Sequence, residues 1–157
     1  MLKNDKKTNR CKVSILMNCF NGERYLKESI DSVYGQRFSD WEIVFIDNCS
    51  VDNSANIAKS YGPELKYFNT NHNVPLGEAR AYGIERCIGK YLMYLDVDDR
   101  YHPGTIKTLL NEIEGTDFLV VYAGHNNINK SGQLIGKYNP KPKMGNIFPD
   151  LLNQFDI

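Results

Sequence analysis

An α/β fold built on a mostly parallel sheet, with helices on both of its faces, is predicted by three features of the sequence. Short apolar runs rich in β-branched residues recur along the chain, each too continuous for a strand with one wet face and suited to a buried one. Between them lie stretches whose apolar residues keep the three-to-four spacing of an amphipathic helix. The two kinds of segment alternate from Lys12 to Tyr122, the order that right-handed crossovers turn into a parallel sheet.

The elements follow in order. Met1 to Arg10 carries Lys3, Lys6, Lys7 and Arg10, with only Leu2 apolar after the start. Such a composition cannot offset the entropy lost on ordering, so residues 1–11 are expected to be a loose basic tail ahead of one domain over 12–157. Val13-Ser14-Ile15-Leu16-Met17 reads as the first strand, and Asn21 as the cap of a helix with Leu26, Ile30 and Val33 on its inner face, ended by Gly35. Trp41 to Ile46 is the second strand. Asp52 or Asn53 is expected to cap the next helix, with Ile57, Ala58 and Tyr61, before Gly62-Pro63 stops it. Leu65 to Phe68 gives a weaker third strand, and a helix from about Pro75 to Ile88 turns Leu76, Ala79, Gly83 and Cys87 inward. Tyr91 to Leu95 is the fourth strand. Pro103 suits the first turn of a helix with Ile106, Leu109, Leu110 and Ile113, and Phe118 to Tyr122 is expected to be a fifth strand. The alternation then breaks: Ser131-Gly132 looks like a turn joining Asn126-Asn127-Ile128 to Gln133-Leu134-Ile135, and Gly145 to Phe155 suits one last short helix.

The bulk numbers narrow the function. The chain has 157 residues, with 19 Lys and Arg against 19 Asp and Glu and a formal net charge of +0, so no basic field points to nucleic acid as a partner. No stretch approaches the ~20 apolar residues that span a bilayer, and the polar start is unlike a signal peptide, which gives a cytoplasmic expectation. Cys11, Cys19, Cys49 and Cys87 form no CxxC pair, so they are expected to be small buried hydrophobes rather than zinc or redox ligands. A nicotinamide dehydrogenase would need GxGxxG after the first strand and a P-loop enzyme GxxxxGK[ST]; neither is present.

Ligands of an open parallel sheet bind at the carboxyl ends of its strands. Those ends are polar here: Asn18-Cys19-Phe20-Asn21 after the first, Asp47-Asn48-Cys49-Ser50 after the second, Asp96-Val97-Asp98-Asp99 after the fourth. Alternate residues of an extended chain share a side, so Asp96 and Asp98 can face one ligand while Val97 packs away. Two carboxylates ~6 Å apart repel by roughly 2–3 kcal/mol at an effective dielectric of about 20, a cost that a hard cation reverses. Oxygen ligands alone favour Mg2+ or Mn2+, and such an ion completes its shell with substrate phosphates. Asp99 is assigned to capping the following helix instead.

With these strand ends in view, the chain resembles the family 2 glycosyltransferases. Val13 to Gly22 looks like that family's opening strand, Ser32-Val33-Tyr34-Gly35-Gln36-Arg37-Phe38 like the end of its first helix, and Asp47 to Ser54 like its Asp-(Asp/Asn)-x-Ser-x-Asp-x-(Ser/Thr) loop. Pro75-Leu76-Gly77-Glu78-Ala79-Arg80 is similar to the stretch carrying an arginine shortly before the acidic motif. Two positions depart from the pattern: Asn18 stands where Thr or Pro is common, and Ala81 where Asn usually follows the arginine.

The resemblance implies a GT-A fold, a UDP- or dTDP-sugar donor, Mn2+ or Mg2+, and a saccharide or lipid-linked acceptor that allows a peripheral place at a membrane. It implies that Phe20 walls the base, Asp47 and Asn48 read the pyrimidine edge and Arg80 supports the nucleotide. Asp96 would lie by the ribose and diphosphate, and Asp98 would bind the metal directly, with Asn18 and Val97 completing the site. Inverting members draw their general base from a carboxylate well downstream of the metal motif. Glu112, Glu114, Asp117 and Asp150 match no such motif, so no base is named and the chain is expected to stop short of one. The alternative is a nucleotide-sugar-binding module or fragment that transfers nothing.

Overall fold

The computed structural model describes residues 11–139 and Gly145; the expected tail over 1–11 and the expected helix over 145–155 lie outside that range, Cys11 and Gly145 aside. The chain divides into two compact units, residues 1–105 and 106–157.

The first unit is a four-stranded parallel sheet. Its strands are β1 (Val13–Cys19), β2 (Trp41–Asp47), β3 (Leu65–Asn69) and β4 (Tyr91–Tyr94), joined through α1 (Glu23–Tyr34), α2 (Ser54–Lys59) and α3 (Leu76–Ile84). The strand order is β3-β2-β1-β4, all parallel, with Val13 opposite both Trp41 and Tyr91. Every residue of β2 is buried, as is every residue of β1 except Asn18, which explains why these strands read as continuous rather than alternating apolar runs.

Successive side chains of a strand point to opposite faces. Leu16, Val44 and Ile46 form one cluster with Val74 and Ala79, so even-numbered residues face α3. A Cβ on Gly83 would meet Leu16 Cδ1 at 2.4 Å and Ile46 Cγ1 at 3.0 Å; α3 approaches the sheet too closely for any larger residue. The odd-numbered Ile15, Met17, Ile43 and Phe45, each fully buried, face the side of α1 and α2. α1 turns Leu26, Ile30 and Val33 inward as expected. Buried Glu42 accepts from Ser14 Oγ (2.6 Å) and the Ile88 N–H (2.9 Å), fixing the α3–β4 connection from below.

Because the chain steps from β1 through β2 to β3 and then returns to the other side of β1, the order reverses between β1 and β4. The crevice at such a reversal is where open α/β sheets bind ligands.

The second unit holds most of α4 (Thr105–Ile113), with Ile106 and Leu110 buried, and the antiparallel hairpin of β5 (His125–Ile128) and β6 (Leu134–Tyr138). The hairpin forms at the expected turn.

Several local expectations are corrected. Phe118 to Tyr122 is not a strand: Leu119 is 94% and Val120 67% exposed, and no ladder forms there among the described residues, so its β-branched side chains have no pleated surface to pack on. α3 ends at Ile84, four residues early, and Leu76 is exposed. Of the cysteines only Cys19 is buried; Cys11, Cys49 and Cys87 are half-buried. Asp99 cannot cap a helix that begins at Thr105; its N–H closes a turn onto the Asp96 carbonyl at 3.0 Å.

Candidate functional site: the carboxyl edge of the sheet

The helix after β1 is not capped by the residue its own sequence suggests. α1 has Gly22 at its N-cap with no side-chain cap of its own, and the N–H groups of Asn21, Gly22 and Glu23 at its entry are satisfied across the cleft. Ser50 Oγ accepts from Asn21 N, Ser54 Oγ from Gly22 N and Asp52 Oδ2 from Glu23 N, each at 3.0 Å. In return Asn21 Oδ1 accepts from Val51 N (2.9 Å) and Glu23 Oε2 from Asn53 N (2.8 Å). Asp52 Oδ1 also takes the Ser54 N–H at 3.0 Å, so one carboxylate serves the starts of two helices, where helix dipoles favour negative charge. Burial opposes its charge, but the bonds from Ser54 and the Glu23 N–H outweigh that, and its pKa falls below the usual value. Asp52 thus meets the start of α2 as expected, while the expected Asn21 cap is replaced by a reciprocal clasp between the β1–α1 and β2–α2 loops. Asn21 and Cys49 take the left-handed conformation, φ 54° and 62°, which turns both loops sharply at the strand ends.

Asp47 ends β2 and is 3% exposed. Its Oδ1 accepts from Ser50 N (2.8 Å) and its Oδ2 from Tyr67 Oη (2.6 Å); burial, then this bond, push the Tyr67 phenol upward in pKa. Asn48 is equally committed. Its Oδ1 accepts from Val74 N (2.9 Å) and Thr70 Oγ1 (3.0 Å), and its Nδ2 donates to Val74 O (2.8 Å). An amide pairing both polar groups of one backbone residue acts like a strand partner, and it holds the 70–74 loop against β2. One Nδ2 hydrogen of Asn48 and one lone pair on each Asp47 oxygen remain. Phe20, beyond β1, is 55% exposed. Asn18, on the α3 face of β1, buries an Nδ2 with no acceptor among the described residues.

The acidic turn differs. Arg80 Nη2 meets Asp96 Oδ1 at 3.3 Å, with its guanidinium 5.6 Å from the Tyr94 ring centre. Both side chains are well exposed, so the pair orients the arginine more than it stabilises the fold. Asp98 is exposed, and no protein donor meets its carboxylate among the described residues. Val97 packs inward: a Cβ on Gly22 would lie 2.9 Å from Val97 Cγ2 and 3.0 Å from Cys19 Sγ, so the glycine is required by space and the turn seats on the β1–α1 loop.

The segment that follows is tied to α1. Ser29 Oγ donates to Asp96 O (3.2 Å), Ser32 Oγ accepts from Tyr101 N (3.0 Å) and Gln36 Nε2 donates to His102 O (2.9 Å). Arg100 pairs with Glu28 at 2.7 Å. Tyr101 Oη donates to Tyr94 O at 2.8 Å. The sequence places Ser32 and Gln36 only in the stretch resembling the end of the family's first helix, with no role, and does not single out Ser29, which is buried beside Leu26, Ile30 and Val33, or Tyr67.

Two carboxylates, Asp96 and Asp98, fit a hard divalent cation in charge and donor type. Among the described residues no group of three or more His, Cys, Asp or Glu is placed to hold a metal. An ion here would complete its shell with substrate oxygens and water, as Mg2+ does in phosphate sites. No described helix is long and apolar enough to cross a membrane.

A parallel sheet whose order reverses beside an acidic turn offers a ligand crevice, and comparison with known proteins gives the class. The glycosyl transferase family 2 profile matches residues 14–155, and the chain belongs to that family. An uncharacterized glycosyltransferase of Rickettsia felis is 35% identical over 133 residues, covering 82% of this chain and 22% of the relative. The crystal structure of S. aureus TarS 1–349 in complex with UDP-GlcNAc is 27% identical with a TM-score of 0.61, over 64% of this chain and 31% of that one. The mannosyltransferase PcManGT from Pyrobaculum calidifontis, in complex with GDP-Man and Mn2+, shares the fold at 19% identity and a TM-score of 0.55, over 60% and 29% of the two chains. The chain therefore has the GT-A fold and spans less than a third of each of these three proteins.

Proposed function

We propose that this edge binds a UDP- or dTDP-sugar together with Mn2+ or Mg2+, and that the sugar is transferred to a saccharide or lipid-linked acceptor with inversion. The observation that carries the reading is Asp98: an exposed carboxylate without a protein donor, beside an Asp96 already oriented by Arg80, at the switch point of a family 2 glycosyltransferase. The roles divide along the crevice. Asp47 and Asn48 offer the lone pairs and the single amide hydrogen that a pyrimidine edge requires, and Phe20 supplies a face for the ring. Asn18 Nδ2 is a buried donor that a ribose or phosphate oxygen would satisfy. Asp96 and Asp98 would hold the ion, which supplies positive charge to the leaving diphosphate when bound, and Arg80 adds a fixed cationic fork to the same oxygens.

The test is calorimetry of the 157-residue chain with UDP, dTDP and GDP, each with Mn2+ and with EDTA. Pyrimidine diphosphates are expected to bind in a metal-dependent manner, and GDP more weakly. UDP affinity indifferent to EDTA removes the ion from this reading, and a preference for GDP removes the base assignment. Where product forms, NMR of its anomeric proton tests inversion.

A further inference from the structure

We infer that Ser32 of α1 and Gln36, just past the C-terminal end of that helix, are positioning residues for the metal-holding turn, an inference that rests on the donor-site reading above. The Ser32 hydroxyl and the Gln36 amide nitrogen are both committed. Ser32 Oγ donates to Ser29 O (2.6 Å) while accepting from Tyr101 N (3.0 Å), and Gln36 Nε2 divides its two hydrogens between Ser32 O and His102 O, both 2.9 Å. With Ser29 on Asp96 O, they attach the backbone on both sides of Asp98 to α1 and to the residue that follows its C-cap. The start of that helix is clasped to the loop after β2 by Ser50, Asp52 and Ser54. α1 carries no proposed ligand-binding side chain, yet it sets the span between the end that reads the base and the end that holds the ion.

The consequence is selective. Two carboxylates held at a set separation bind an ion without first losing backbone freedom, whereas a turn freed from α1 must be ordered by the ion itself. Groups that orient metal ligands typically contribute about 10–100-fold to affinity. The nucleoside end has its own bonds from Asn48 and Tyr67 and does not depend on Ser32 or Gln36.

The experiment measures Mn2+ retention by electron paramagnetic resonance with saturating UDP, uridine binding by calorimetry in EDTA, and the thermal midpoint. It compares the wild-type chain with Ser32→Ala, Gln36→Glu and the conservative Ser32→Thr. Ser32→Ala and Gln36→Glu are expected to weaken Mn2+ retention about 10-fold, with uridine affinity unchanged within about 2-fold, and Ser32→Thr to restore it. Mn2+ retention equal to wild type in both variants overturns the inference. So does a parallel fall of Mn2+ retention, uridine affinity and thermal midpoint, which marks general support of the fold. Failure of the wild type to retain Mn2+ with UDP overturns the donor-site reading itself, and the inference with it.

Discussion

The turn after β2 and the turn after β4 lie at the same edge of one sheet and treat their polar groups in opposite ways. Asp47 and Asn48 are nearly inaccessible, and each side-chain oxygen already has a protein partner. Asp96 and Asp98 stand in solvent, with one ion pair between them and the rest of the protein. A buried carboxylate without donors would be costly, so the first turn must be complete before a ligand arrives. An exposed carboxylate suffers no such penalty and can wait for a cation. Substitutions in the first turn should therefore register in stability, and substitutions in the second in ligand binding.

The largest effect is expected from Asn48→Ala. It leaves the Val74 N–H and carbonyl without their partner in a buried setting and the Thr70 hydroxyl with the longer contact to the Asp47 carbonyl at 3.5 Å, and buried unsatisfied groups cost about 1–3 kcal/mol each, less where water enters. A loss of roughly 2–4 kcal/mol in urea unfolding is expected. A loss below about 0.5 kcal/mol, the range of ordinary surface changes, would show that the 70–74 loop does not depend on this amide. Tyr67→Phe is next: it removes one donor from a buried carboxylate and should cost about 1.5–3 kcal/mol. A Tyr67→Phe protein as stable as wild type would break the contrast at its buried end.

Asp98→Asn addresses the exposed end. It removes a negative charge that no protein donor balances, so folding stability should hold or rise slightly. Metal-dependent UDP affinity should drop at least about 10-fold, equivalent to 1.4 kcal/mol. Urea unfolding and calorimetry on the same preparation read both. Lost stability with retained UDP affinity would invert the comparison.

How much of this was legible beforehand follows from the same contrast. The ten segments from Val13 to Tyr138 were readable wherever periodicity comes from burial, as in β2 or the Leu26, Ile30 and Val33 stripe of α1. The strand ends were readable because an acidic turn after a buried strand is conspicuous. Phe118 to Tyr122 misled because β-propensity records a preference for a pleated surface and cannot say that one is present. The helix caps misled in part for another reason: Asp52 does meet the first N–H of α2, but the Asn21 side chain and the second Asp52 oxygen have their partners about thirty positions away in the other loop. Tyr67 and the roles of Ser29, Ser32 and Gln36 were invisible for the same reason, since those roles exist only once β3 lies beside β2 and α1 beside the acidic turn.

The smallest predicted effect tests the clasp through pH. Asp52 has a folded pKa below its ordinary value because Ser54 and the Glu23 N–H favour its charged form against the opposing pull of burial. A carboxylate of depressed pKa stabilises the fold at pH above its unfolded value, near 3.9, and that contribution is lost as pH falls through the lower folded value. Asp31, lowered by its bonds from Lys27 and Tyr61, acts in the same window. Wild type should therefore exceed Asp52→Asn in stability by a constant margin above about pH 5, and the margin should narrow as pH falls through about 4 and below. Urea unfolding of both proteins at several pH values measures it, with Asp31 retained in each so that its contribution cancels. Curves that stay parallel through the acid limb would mean that Asp52 joins the two helix starts by geometry alone, its charge contributing nothing to the clasp.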